Sequence, residues 1–184
     1  TDGEQALIGQ GSTSNLEAWG YAIKASGVLA SGTKEGIAKA RSLLDQAVAL
    51  DPEYVNAWVG LALSHWFDAR FGWSESPPES ISQTHTIAQK ALSLDDTNPE
   101  VHALMGCIHL YLREYERAIK EAERAVALGP SHAFVHSIAA HIFRFSGKYD
   151  QAIALVKKAI RLQPYLPTWY LMELGMSYYC IGRY

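Results

Sequence analysis

Seven histidines raise the question of metal chemistry. Two of them, His132 and His136, stand four apart, the spacing that places two side chains on one face of a helix. Structural zinc usually needs four nitrogen or sulfur ligands. His132 reads as preceding its helix and no third ligand follows at regular spacing, so the pair defines no metal site. There is no Gly-x-Ser-x-Gly elbow, phosphate loop or His-Glu-x-x-His motif, and the serines and aspartates fall mostly at helix caps and turns. The residues therefore predict no catalytic group, no metal and no cofactor.

The elements that carry these residues are set by a period. Arg113 to Pro130, REYERAIKEAERAVALGP, reappears 34 residues later as Gly147 to Pro164, GKYDQAIALVKKAIRLQP. Tyr115 maps on Tyr149, Ala118 on Ala152, Ala125 on Ala159 and Leu128 on Leu162. A fixed period of this size means stacked repeats, each burying its apolar face against its neighbours.

Composition narrows the class further. The 184 residues are 48% apolar, enough to build a core, and the net charge of −3 favours no nucleic-acid partner. Cys107 and Cys180 fall on apolar helical patterns, which suits reduced thiols and a cytoplasmic location. No apolar run approaches the roughly 20 residues that span a bilayer, so no membrane insertion is expected. The chain opens on Thr1 and closes on Tyr184 where a helix should begin, and so reads as a piece of a longer polypeptide.

Along the chain, residues 1–14 read as a linker from an upstream domain and 15–184 as one repeat domain. Its units are expected at about 15–52, 53–98, 99–130, 131–164 and 165–184, the last truncated to its first helix. Ser14 or Asn15 should cap the first helix, which reads as lengthened, and Thr33 the next, over Lys34 to Leu50. Ala47 to Ala91 is 44 residues, the period plus an insertion of 10, placed by register in the turn between Asp68 and Glu79. That insertion loop carries Phe71 and Trp73, which should fold back on the helices or meet a partner. Ser76 to Glu79 reads as a capping box, with Pro77 at the first helical position.

These residues resemble the tetratricopeptide repeat, whose unit of 34 residues carries a W-x2-L-G-x2-Y stripe in its first helix. The stripe stands here as Trp58, Leu61, Ala62 and His65, then His102, Met105, Gly106 and His109. It recurs as His136, Ala139, Ala140 and Phe143, and as Leu171, Leu174, Gly175 and Tyr178. The resemblance implies an all-α fold, a right-handed α-solenoid of about four and a half repeats. A narrower run of features, TDGEQA, NLEAW, ALDPEYVNAWVGLALSHW, DARFGWSESP and AQKALSLDD, resembles the C-terminal repeat region of bacterial class III adenylate/guanylate cyclases. It implies an output domain upstream and no catalysis within these residues.

In the resembled fold, first helices line an inner groove. Its expected members are Asn56, Leu63, Trp66 and Phe67, then Leu110 and Tyr111. Phe134, His141, Arg144 and Phe145 follow, and then Trp169, Met172, Met176 and Tyr179. His141 and Arg144 are expected to supply polar specificity, and Trp66, Phe67, Tyr111, Phe145 and Trp169 the anchors. The expected function is a non-catalytic module gripping a protein or peptide, which could be an upstream domain of the same chain. The alternative is self-association, with a homodimer formed through the uncovered last face.

Overall fold

The computed structural model describes residues 13–163 and 168–182. Residues 1–12 of the expected linker, Pro164, Pro167 and the pair Arg183 and Tyr184 lie outside them. Among the described residues there are nine α-helices and no strand, the all-α helical-repeat class. The chain divides into two compact units, Thr1–Asp96 and Thr97–Tyr184.

The first unit holds α1 (Leu16–Leu29), α2 (Lys34–Leu50), α3 (Val55–Phe71) and α4 (Pro77–Leu94). Asn15 caps α1 by accepting from the backbone N–H of Glu17 and Ala18, and Thr33 caps α2 through Gly36. Thr13, at the end of the expected linker, donates to the Asp51 carboxylate. The core is built from small side chains: Ala18, Ala22 and Ala25 of α1 pack with Ala40, Leu44 and Ala47 of α2 and with Ala57 and Leu61 of α3. With 14 residues α1 is not lengthened; its partner α2, with 17, is the longer helix.

The ten-residue insertion is mostly helical, which corrects its placement in a loop. α3 and α4 have 17 and 18 residues, where α5 (Pro99–Tyr111) and α6 (Tyr115–Leu128) have 13 and 14. Each helix of the pair gains about one turn and the connection only two residues. Phe71 is the last residue of α3 rather than a loop residue, and Gly72 ends that helix in the left-handed region at φ 69°. The capping box is also absent: the Ser76 side chain makes no cap bond. Ser74 takes over, its Oγ accepting from Ser76 N at 3.1 Å and from Ser80 Oγ at 2.8 Å.

The second unit holds α5, α6, α7 (Ala133–Phe145), α8 (Tyr149–Leu162) and α9 (Thr168–Cys180). α5 pairs with α6 and α7 with α8, α7 also packs on α5, and α9 packs on α7 and α8. Asn98 caps α5 and Pro99 opens it. Gly106 of α5 marks the close approach, since a Cβ there would stand 3.1 Å from the Ala118 carbonyl oxygen of α6 and 2.7 Å from Ile142 Cδ1 of α7.

The turn that ends each first helix passes through left-handed backbone. Gly32, Gly72, Gly147 and Gly182 occupy it at φ 63° to 77°, and Arg113 does so at φ 61°. A side chain there costs about 1–2 kcal/mol relative to glycine. Arg113→Gly is expected to stabilise the protein by about 1 kcal/mol, read as a higher urea midpoint with unchanged slope.

Candidate functional site

Among the described residues of the second unit, α9 carries an exposed apolar surface. Leu171, Met172, Met176 and Tyr179 are 56%, 49%, 45% and 66% exposed, and they recur at helical spacing around Gly175, whose Cβ position meets nothing within 4 Å. Gly175 holds the stripe position of Gly106, yet Gly106 is closed over by α6 while Gly175 meets nothing within 4 Å among the described residues.

A second row on the same helix leads to a similar comparison. Ala103, Cys107 and Leu110 of α5, then Ser137, His141 and Arg144 of α7, occupy equivalent positions 34 residues apart. Ala103, Cys107 and Ser137 are buried. On α9 the row continues, 35 residues on, as Met172, Met176 and Tyr179, all exposed.

The α7 row is held to α9 by charge. Glu173, fully buried, accepts from Arg144 Nε at 2.5 Å and from His141 Nδ1 at 3.1 Å. Burial pushes this carboxyl upward most strongly, but the bonds and charges of His141 and Arg144 together outweigh it and hold the group down at about 2. The Arg144 guanidinium also lies 4.2 Å from the centre of the Phe145 ring, and His141 meets that ring edge-on at 4.7 Å.

Other histidines of the unit are likewise engaged with their surroundings. His102 Nδ1 stands 2.7 Å from Glu121, and His109 Nδ1 2.7 Å from Glu114. His132 precedes α7 and reaches Glu100 at 3.0 Å, which raises its pKa. His136 is buried with Nε2 on the Pro130 carbonyl oxygen at 2.9 Å, and burial lowers its pKa. His132 and His136 thus point their Nε2 atoms at different partners.

The remaining expected groove residues divide by burial. In the first unit Asn56 is exposed, whereas Leu63 and Trp66 are buried. Phe67 is half-buried in a chain of rings: Trp66 to Phe67 at 5.2 Å, Phe67 stacked on Phe71 at 5.6 Å, and Phe71 to Trp73 at 4.8 Å. In the second unit Tyr111 and Phe145 are exposed, and half-buried Phe134 and Trp169 meet edge to face at 5.9 Å. Sequence reasoning missed Glu173 as the anchor of α9. Its signal was a single acid inside the apolar run WYLMELGM.

The sequence profile of the tetratricopeptide repeat matches residues 33–69 and 104–167, more than half of the chain, and the chain belongs to that family. No curated protein matches it. Among solved structures, it is similar to TTC0263, a thermophilic TPR protein of Thermus thermophilus. The two share 19% identity, the match covers 76% of this chain and 72% of that one, and the TM-score is 0.61. Human IFIT1, in a dimer structure with m7Gppp-AAAA, aligns at 22% identity over 88% of this chain but 35% of its own, with a TM-score of 0.72. Pseudomonas aeruginosa pilF aligns at 22% over 90% of this chain and 69% of its own, with a TM-score of 0.57. At these identities the likeness is one of fold. That fold generally mediates protein–protein interaction and is typically non-catalytic. No described helix is long and apolar enough to cross a membrane.

Because the pKa of Glu173 is depressed on folding, its contribution is complete above the ordinary value of 4.5 and is lost as pH falls toward 2. That gap corresponds to about 3 kcal/mol. Glu173→Gln is expected to lose stability of that order at pH 7 and to flatten the decline between pH 4.5 and 2, measured by urea unfolding at each pH. An unchanged pH profile in the variant would show that the ion pair does not anchor α9.

Proposed function

We propose that the chain is a non-catalytic protein-interaction module and that an amphipathic helix, of a partner or of the same polypeptide, docks on the apolar face of α9. The observation that carries this reading is the open space at Gly175, in the register where α6 closes over Gly106. Within the second unit, such a first-helix face is covered by a helix presenting alanines: Ala118, Ala122 and Ala125 on α6, Ala152 and Ala159 on α8. A partner of the same type would bring small residues to Gly175 and Leu171 and polar residues to its outer side. Met172, Met176 and Tyr179 border the contact, and Tyr111 and Phe145 are further exposed rings that a protein partner could cover.

The wider setting belongs to the same proposal. The resemblance of the NLEAW and DARFGWSESP features to cyclase repeat regions supports a regulatory or scaffolding role beside an output domain, such as a nucleotide cyclase, in the bacterial cytoplasm. A ligand like the m7Gppp-AAAA of the human IFIT1 structure is not proposed here, since a net charge of −3 favours no polyphosphate.

A synthetic peptide of residues 149–162, the helix that pairs with α7, serves as the probe. It is expected to bind the full chain in the micromolar to millimolar range (~1 µM to 1 mM) and to lose about tenfold in affinity with Leu171→Glu. Binding unaffected by Leu171→Glu would reject the α9 face. Sedimentation across protein concentrations tests the competing occupant, a second copy of the chain.

A further inference from the structure

The lengthened second repeat creates a cleft that the helix-docking reading leaves unused. It has a volume of about 400 Å3, within the roughly 300–1,000 Å3 of ligand pockets, and opens between α2, α3, the connection 72–76 and the start of α4. Its lining is rich in acceptors. Arg41, the cation of the cleft, is already matched: its Nη2 donates to Asp68 Oδ2 at 2.6 Å and to the Ser64 carbonyl oxygen at 3.0 Å. Glu75 and Glu79 are exposed, and neither has an ion-pair partner among the described residues. Burial first, and then the charge of Arg41, lower the pKa of His65, which favours the neutral ring with its acceptor nitrogen.

One aromatic residue of the mostly polar lining, Trp73, is held in place. Trp73 packs on Phe71 at 4.8 Å, and Phe71 stacks on Phe67 at 5.6 Å, so the indole belongs to a ring chain rooted in α3. The N-terminal end of α4 contributes a partial positive charge of about half a unit. Two carboxylates outweigh it, leaving the cleft net negative beside the Trp73 indole. A planar cation suits such a surface, because guanidinium stacks on indole and donates in pairs to carboxylates, where ammonium acts as a point charge.

We propose that this cleft binds an arginine side chain of a partner peptide, with its guanidinium against Trp73 and bonded to Glu75 and Glu79. The proposal rests on the chain being a protein-binding module, but it uses a different surface from α9. The test is a titration of the 15N-labelled full chain with acetyl-Gly-Arg-Gly-amide. It is followed through the indole N–H signal of Trp73, assigned with Trp73→Phe. A saturable shift at millimolar peptide is expected, with affinity about tenfold lower in the Glu75→Gln/Glu79→Gln double variant. The same peptide with citrulline, uncharged and nearly isosteric, should give no saturable shift. Equal binding of the citrulline peptide, equal binding by the double variant, or no saturable shift with arginine would overturn the proposal. Leu171→Glu should leave the arginine titration unchanged, and the double variant should leave binding of the 149–162 peptide unchanged. The two surfaces therefore fail or succeed separately.

Discussion

Close approach of helices at residues with little or no side chain is the constraint on which each unit depends. Ala118, Ala122 and Ala125 of α6 are entirely buried, as are Ala139 and Ala140 of α7 and Ala152 and Ala159 of α8. Alanine brings little apolar area of its own. What it permits is contact of neighbouring backbones, with larger residues such as Leu104, Ile108, Ile138 and Val156 filling the space around the seam. Gly106 takes the principle to its limit, with a backbone carbonyl standing where the Cβ of any other residue would press.

The same constraint explains why α9 differs from α5 and α7 although it carries the same stripe. A glycine whose neighbourhood is open contributes no packing and weakens its helix, as Gly175 does among the described residues. The helix is held instead by what is underneath it: Tyr170, Glu173 and Ser177 are fully buried. Breaking a buried ion pair by removing one partner costs about 3–5 kcal/mol, which fixes how α9 sits on α7. His141 and Arg144 therefore contribute to the cohesion of the unit.

In the first unit the extra residues show how an insertion changes a repeat without disturbing its register. A turn added to each of two paired helices lengthens both together, so the faces below stay matched. The added turns bring an aromatic run to the surface, where Phe67, Phe71 and Trp73 pack on one another and so limit their own exposure.

The helices themselves were legible in the sequence because their signals are local. Asn15, Thr33 and Asn98 satisfy orphan N–H groups within three residues, Pro99 presets a helical φ, and the apolar period repeats over one turn. A shift of 34 then identified Gly106 and Ala140, and Ala118 and Ala152, as counterparts in neighbouring repeats. Tertiary structure alone decided which members of a row are covered. Arg144 and Tyr179 hold the same register position, yet one lies against the Glu173 carboxylate and the other is open to solvent. It also decided that the insertion would lengthen helices, since Gly72 marks a stop but nothing along the chain says that the turn before it stays paired with α4. Burial and charge pairing depend on what lies across a seam, and period and capping depend only on what lies along the chain.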